Sequence, residues 1–384
     1  MIERNIYNRI EYYLKKFPIV ALLGVRQCGK TTLLREKFSD YTYVSLEEPD
    51  IRDFAENDGR GFLLTYNKKC ILDEVQRAPK LFSYLQSHVD KNEIVGQYIL
   101  SGSHNFLLMQ SISQSLAGRV ALLTLTPFSY KELLNTNEDI NDIDNIMQKG
   151  FYPAIYSRNI NASEYFPSYF QTYIERDVRL LQNIISVNDF IKFVKVLATR
   201  SSQILNYTDL ANACNISVLT VKSWLSILIQ SYIVYELPPY YNNFSKRLIK
   251  SPKIYFYDTG LICNLLNINN KEQLISSDYY GAIFETMVVS EFLKSCYENV
   301  KVPNMYYWRD TNQNEIDLIT EDESGIKVYE IKASKTADRK YLKKMIKFSE
   351  FSKIPKENIT CIYNGEQNLY GENGNFINFK TMFS

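Results

Sequence analysis

Hydrophobic positions in the first third of the chain gather in short runs: Ile19-Val20-Ala21-Leu22-Leu23, Tyr43-Val44-Ser45-Leu46, Ile71-Leu72, Tyr98-Ile99-Leu100 and Val120-Ala121-Leu122-Leu123. Each is bounded by turn or polar residues and followed by a longer mixed segment. Short runs separated in this way predict buried strands, with room at each crossover for a helix. From Pro18 to Pro127 the expected class is therefore α/β, a mostly parallel sheet with helices on both faces. The Asn- and Asp-rich stretch from Asn135 to Asn145 ends this region.

The pattern then changes. Thr208-Asp209-Leu210-Ala211 and the segment from Ser217 to Leu225 predict two short helices around a turn at Asn215. Ser217 is placed to cap the second, and Val221, Trp224, Leu225 and Leu228 share one face at helical spacing. Two β-rich runs follow, Ile233 to Leu237 and Lys253 to Tyr257, which is the element order of a winged helix-turn-helix. From about Gly281 the pattern reads as helix, then strand, hairpin and strand, then helix. The expected domains are residues 1–134 (the α/β region), 135–195 (helical linker or lid), 196–275 (winged helix-turn-helix) and 276–384 (a second α/β domain).

Composition narrows the class. A chain of 384 residues exceeds one ordinary core, and 45% hydrophobic with 23% charged residues is globular, neither disordered nor fibrous. Net charge is +1, from 44 Lys+Arg against 43 Asp+Glu, so contact with nucleic acid needs a local basic patch. The six cysteines (Cys28, Cys70, Cys214, Cys263, Cys296, Cys361) form no C-x-x-C pair, which argues against structural zinc and for reduced thiols. The first residues mix both charge signs and do not read as a signal peptide, and no apolar run approaches the ~20 residues of a spanning helix. The expectation is a soluble, cytoplasmic protein with no membrane partner.

Directly behind the first apolar run, Gly24-Val25-Arg26-Gln27-Cys28-Gly29-Lys30-Thr31-Thr32 matches G-x-x-x-x-G-K-[ST] at every required position. This spacing builds a phosphate cradle: backbone N–H groups of the loop through Arg26, Gln27 and Cys28 converge on phosphate oxygens, and the following helix adds its positive end. Gly24 and Gly29 permit the backbone angles. Lys30 bridges β- and γ-phosphates, and the hydroxyls of Thr31 and Thr32 lie at the start of the helix, Thr31 placed to hold Mg²⁺. Asp73-Glu74 ends the third run at the carboxyl end of a buried strand, so Asp73 is placed for the Mg²⁺ shell and Glu74 to activate water. The fourth run releases Ser101-Gly102-Ser103-His104-Asn105, with Ser103 as a candidate γ-phosphate sensor and the role of His104 open. Arg119, at the end of Ser115-Leu116-Ala117-Gly118-Arg119, is either a charge-stabilising finger, in cis or in trans, or a surface arginine capping helix carbonyls.

Taken together, these strings, with Leu125-Thr126-Pro127-Phe128-Ser129, Tyr173-Ile174-Glu175-Arg176-Asp177-Val178 and Tyr257-Asp258-Thr259-Gly260-Leu261, resemble prokaryotic AAA-superfamily ATPases near the archaeal-type group, which carry a C-terminal domain of unknown function. The resemblance covers nearly the whole chain and implies architecture more than purpose.

A second charged constellation lies near the C-terminus. Asn314 to Ile319 and Lys327 to Lys332 flank a turn at Asp322-Glu323-Ser324-Gly325. A hairpin centred between Glu323 and Ser324 sets Asp317 opposite Glu330 and Glu315 opposite Lys332, with Glu330 and Lys332 on one face and Glu285 on a preceding helix able to join them. The set resembles a restriction-endonuclease-like core, which implies a second Mg²⁺ site at Glu285, Asp317 and Glu330 with Lys332 beside it. The bland reading is an exposed hairpin with cross-strand ion pairs. In the winged-helix candidate only Lys222 charges the second helix, while Lys246, Arg247, Lys250 and Lys253 cluster in the wing; a DNA reader and a protein-packing module both remain open. The expected function is an ATP- and Mg²⁺-dependent ATPase acting on DNA. The alternative is an ATP-dependent regulatory switch or scaffold with a catalytically inactive nuclease-like domain; under either reading a homo-oligomer or a protein partner is a further candidate.

Overall fold

The computed structural model describes residues 2–92, 94–102, 105–136, 140–173, 186–241 and 251–384. It divides into two compact units whose segments interleave: Met1–Phe128, Gln230–Tyr232 and Lys294–Val302 form one, and Ser129–Ile229, Ile233–Leu293 and Pro303–Ser384 the other.

In the first unit, strands β1 (Ile19–Gly24), β2 (Thr42–Ser45), β3 (Cys70–Asp73), β4 (Tyr98–Ser101) and β5 (Val120–Leu125) form one sheet in the order β2-β3-β4-β1-β5. Every pairing in it is parallel. The apolar strands β1, β3 and β4 are buried along their whole length, as parallel strands covered on both faces must be. Leu33, Leu46, Phe62, Leu81, Phe82 and Leu85 from the crossovers are buried with Leu72 and Leu100, most of them in one continuous core. The register matters more than the strand count. Ser45 pairs with Asp73 and Asp73 with Ser101, so β2, β3 and β4 finish level with one another, while Ser101 pairs with Leu22 and β1 runs two residues further to Gly24.

The second unit begins with helical segments and then reaches α1 (Val187–Ala198), α2 (Tyr207–Cys214) and α3 (Val218–Gln230). The Asn206 side chain caps α2, and Asn215, in the left-handed region at φ 58°, ends it. Ser217 Oγ accepts from the Thr220 N–H at 3.0 Å, and α2 and α3 meet at 101°. Val221, Trp224, Leu225 and Leu228 face inward, and Phe190 and Phe193 of α1 pack edge-on against Trp224. The strands β6 (Val234–Leu237) and β7 (Lys253–Phe256) pair antiparallel after them. Among the described residues no single helix is long and apolar enough to cross a membrane.

The C-terminal part opens with α4 (Tyr280–Glu298) and builds a mixed sheet of β8 (Met305–Arg309), β9 (Glu315–Asp322), β10 (Gly325–Lys332), β11 (Ile359–Tyr363) and β12 (Asn375–Asn378) in the order β12-β11-β10-β9-β8. Gly325 pairs with Asp322 and Tyr329 with Leu318, the register expected of a hairpin centred between Glu323 and Ser324. The sequence pattern did not place helix α5 (Lys343–Ser352) inside this sheet. It makes the crossover between β10 and β11, which are parallel, because Leu342, Met345 and Phe348 are needed to cover Ile319, Val328 and Ile359.

Gly24 sets the exit of β1. Its φ is +136°, and a Cβ there would lie 1.9 Å from the Leu125 carbonyl oxygen on the neighbouring strand. Strain and a backbone clash combine, so Gly24→Ala should lower unfolding free energy by at least about 1–3 kcal/mol in a denaturant titration. An unchanged midpoint would mean that the loop tolerates a side chain there.

Candidate functional site

The loop between β1 and the helix Lys30–Lys37 wraps around its own lysine. Gln27, at φ 59°, and Gly29, at φ 94°, adopt left-handed backbone angles that let the chain fold back before the helix starts. Lys30 is buried, and its Nζ donates to the carbonyls of Gly24 (3.0 Å) and Val25 (2.9 Å). Cys28 is buried, with Sγ 3.3 Å from the Leu125 carbonyl oxygen, while Arg26 is half-buried and Gln27 and Thr32 are exposed.

The level strand ends bring a set of oxygens onto Asp73. Thr31 Oγ1 donates to Asp73 Oδ2 at 2.9 Å, Tyr43 Oη donates to the same oxygen at 2.6 Å, and the hydroxyl of Ser101 and the N–H of Glu74 donate to Oδ1. Burial and this contact push the Tyr43 phenol well above its ordinary value. Glu74 follows with φ 54°, an angle uncommon for a residue with a side chain, and Gln76 Nε2 donates to its carboxylate. Ser103 and His104 lie outside the described residues.

Three contributors carry no local sequence signal. Arg4 is buried, donates to the carbonyls of Cys28 (2.8 Å) and Thr126 (2.6 Å), and rests on the Phe128 ring, so the N-terminal segment braces the phosphate loop from behind. Tyr43 and Ser101 reach Asp73 only because parallel pairing sets their strands side by side. Arg119 is engaged elsewhere. Its guanidinium makes a bidentate pair with Asp90 (Nη2 to Oδ2, 2.8 Å) and donates to the Ala117 carbonyl at 2.9 Å.

In the second unit, Glu285 of α4, Glu315 and Asp317 of β9 and Glu330 and Lys332 of β10 do come together, but around a lysine. The Nζ of Lys253 lies 3.0 Å from Glu285, 2.7 Å from Glu315 and 4.0 Å from Asp317. Tyr255 Oη donates to Glu285 at 2.6 Å, and Lys332 Nζ contacts Glu330 at 2.7 Å and Asp317 at 3.3 Å. Asp317 Oδ2 also accepts the Ile331 N–H at 2.8 Å, which ends the regular ladder where Asp317 was expected to face Glu330. Glu315 consequently pairs with Lys253 instead of Lys332. Lys253 is 1% exposed, so it is not the wing cation expected to meet phosphate; Lys246, Arg247, Lys250 and the triplet Glu175-Arg176-Asp177 lie outside the described residues.

Comparison with known proteins adds the following. Residues 16–134 match the model of an AAA domain. The first region is an AAA-type P-loop domain. Residues 140–272 and 280–382 match two further models, each described as a domain of unknown function. Uncharacterized proteins of Mycobacterium bovis and Mycobacterium tuberculosis are each 29% identical over 343 residues, 87% of this chain and 74% of their own length. Among solved structures, a Walker-type ATPase of Pyrococcus abyssi aligns with 15% identity over 69% of this chain and 96% of that one, TM-score 0.46. A variant of RuvB from Thermotoga maritima aligns with 16% identity over 61% and 89%, TM-score 0.33. These structural likenesses are too distant to carry an argument of their own.

The AAA-type domain offers oxygen donors suited to Mg²⁺. Thr31 Oγ1 and Asp73 already share a hydrogen bond, and this hard cation needs only one or two protein oxygens when phosphates and water complete its shell. The C-terminal cluster does not fit a metal as arranged. Among the described residues no group of three or more His, Cys, Asp or Glu side chains is placed to hold one, and the Lys253 ammonium stands among the carboxylates. Burial lifts the Glu285 carboxyl to about 7 against the pull of Lys253, and burial with the Asp317 charge lifts Glu330 to about 7.

A raised carboxyl favours the folded state while protonated. That stability is fully present below about 4.5 and is lost as pH rises through about 7. Glu330→Gln, which stays neutral, should therefore gain in melting temperature relative to the native chain across this window. A difference between the two proteins that does not change with pH would contradict the assignment.

Proposed function

We propose that the chain is an ATP- and Mg²⁺-dependent ATPase whose nucleotide state governs a winged-helix and restriction-endonuclease-like C-terminal half that engages DNA. The convergence of Thr31, Tyr43 and Ser101 on Asp73, next to a buried Lys30, carries this reading. In the proposed cycle the main-chain amides from Arg26 to Thr32 hold the phosphates, and Lys30 leaves its loop carbonyls for β- and γ-phosphate oxygens. Thr31 and Asp73 would hold Mg²⁺, which supplies charge neutralisation on the phosphates. Glu74, at the carboxyl end of β3 and held by Gln76 Nε2, orients and deprotonates the attacking water. Ser103 reads the γ-phosphate from the neighbouring strand, and Arg119 serves as a finger if binding or assembly frees it from Asp90.

The order of three helices and a β-hairpin over residues 187–256 supports a winged helix, and the run of α4, β8, the β9–β10 hairpin, α5 and β11 supports the nuclease-like assignment. Fold analogy does not supply activity. The lysine-bridged cluster favours the second reading, a nucleotide-driven switch or scaffold in which the C-terminal half engages DNA without cutting it.

Lys30→Ala should abolish ATP binding measured by calorimetry. Glu74→Gln should keep binding and lose at least about 10²-fold in turnover, the contribution typical of a general base; equal hydrolysis by this variant would remove Glu74 from the mechanism. With Mg²⁺ or Mn²⁺ and supercoiled, linear or branched DNA, the native chain should leave the DNA intact. Cleavage that disappears in Asp317→Ala would instead establish a working nuclease.

A further inference from the structure

In the described part of the winged helix Lys253 is buried and Lys222 rests against the Tyr207 ring, which leaves Lys192 and Lys195 of α1 as scattered exposed cations. A stronger cationic surface lies on the C-terminal domain. Between Lys335 and Lys347 the chain carries six basic residues (Lys335, Arg339, Lys340, Lys343, Lys344, Lys347) against the single acid Asp338, in a protein whose net charge is only +1. All six are exposed. Lys335 and Lys340 are paired, with Asp144 at 2.9 Å and Asp338 at 2.8 Å, whereas Arg339, Lys343, Lys344 and Lys347 make no ion pair among the described residues.

The spacing sorts these side chains. Lys340, Lys343, Lys344 and Lys347 recur at i, i+3, i+4 and i+7, one face of the helical run, while Leu342, Met345 and Phe348 occupy the opposite face and lie in the core with Ile316, Ile319 and Val328. The stripe is thus fixed to the sheet and runs for about 10 Å along the helix at 1.5 Å per residue, enough to span roughly three phosphates of one DNA strand. Lys344 lies near enough to Glu330 to act on its carboxyl, so the stripe borders the Asp317, Glu330 and Lys332 cluster.

Local stability does not explain the arrangement. Lys343 and Lys344 sit in the first turn of α5, at the positive end of its dipole, with no acidic residue in that turn and no side-chain cap. Cations at this end weaken a helix. Asp338 and Glu330 attract Lys343 and Lys344 and offset part of this cost, yet the helix start stays strongly cationic, as is expected where a surface serves a ligand.

We infer that the outer face of the run from Arg339 to Lys347 is a docking surface for the phosphodiester backbone of DNA, gripped without regard to base sequence. A lipid surface fits less well, because the apolar side of this helix is already committed to the core and the exposed side presents ammonium groups alone. The inference rests on the proposal that the C-terminal half engages DNA, and it assigns that contact to α5 in place of the wing.

The test measures binding of a fluorescent DNA duplex to the native chain, to K343Q/K344Q/K347Q and to K68Q, which changes an exposed lysine of the AAA-type domain, over a salt series without divalent cation. The triple variant should bind more weakly, with a slope of log K against log salt shallower by about 2.7, at 0.9 per lost phosphate contact. K68Q should retain the native slope. In a parallel measurement that needs no variant, bound DNA should protect Lys343, Lys344 and Lys347 of the native chain from acetylation. DNA binding with an unchanged slope in the triple variant, or with these lysines unprotected, overturns the surface while leaving DNA engagement in place. No DNA binding by the native chain overturns both. Binding of the native chain to anionic vesicles but not to DNA assigns the stripe to a membrane and likewise overturns the proposal.

Discussion

Parallel pairing in one register is the constraint on which the nucleotide site depends. Because Ser45, Asp73 and Ser101 are neighbours across the sheet, β2, β3 and β4 finish at the same height, and side chains far apart in sequence meet without any long reach. The Asp73 carboxylate is then saturated by hydroxyls and a backbone amide, and Lys30 is saturated by carbonyls of its own loop. A buried ammonium and a buried carboxylate are each costly unless hydrogen-bonded, so this satisfied arrangement is a stable resting geometry. A triphosphate with its cation offers the same groups equivalent partners in exchange.

The C-terminal cluster obeys the same electrostatics with a different result. Carboxylates converging in a half-buried site repel unless something positive intervenes, and here Lys253 from β7 and Lys332 from β10 supply the charge. Burial also holds Glu285 and Glu330 near neutrality, so each stands close to the boundary between protonated and ionised. In this arrangement the acidic charge of the cluster is neutralised by side chains of the chain itself.

What could be seen in the sequence was local. The glycine-rich loop, the Asp73-Glu74 pair at a strand end, the cap at Ser217 and the hairpin register around Gly325 all follow from residues within a few positions of one another. What could not be seen was set by topology. Arg4 braces a loop far along the chain, Tyr43 looks like an ordinary strand tyrosine, and Lys253, surrounded by basic neighbours in sequence, is drawn into the acidic cluster by the fold. A helix after the hairpin was expected, but not the strand beyond it: β11 pairs parallel with β10, which makes α5 a crossover whose inner face carries Leu342, Met345 and Phe348.

The central claim is that the AAA-type domain grips a triphosphate through its loop amides and Lys30, with Thr31 and Asp73 sharing the cation. Titration of the native chain with ATP in a calorimeter, with and without Mg²⁺, tests it most directly. The account predicts saturable, stoichiometric heat that strengthens with Mg²⁺ and loses that Mg²⁺ dependence in Asp73→Asn. Absence of heat at millimolar ATP, or binding indifferent to Mg²⁺ in both proteins, would contradict it.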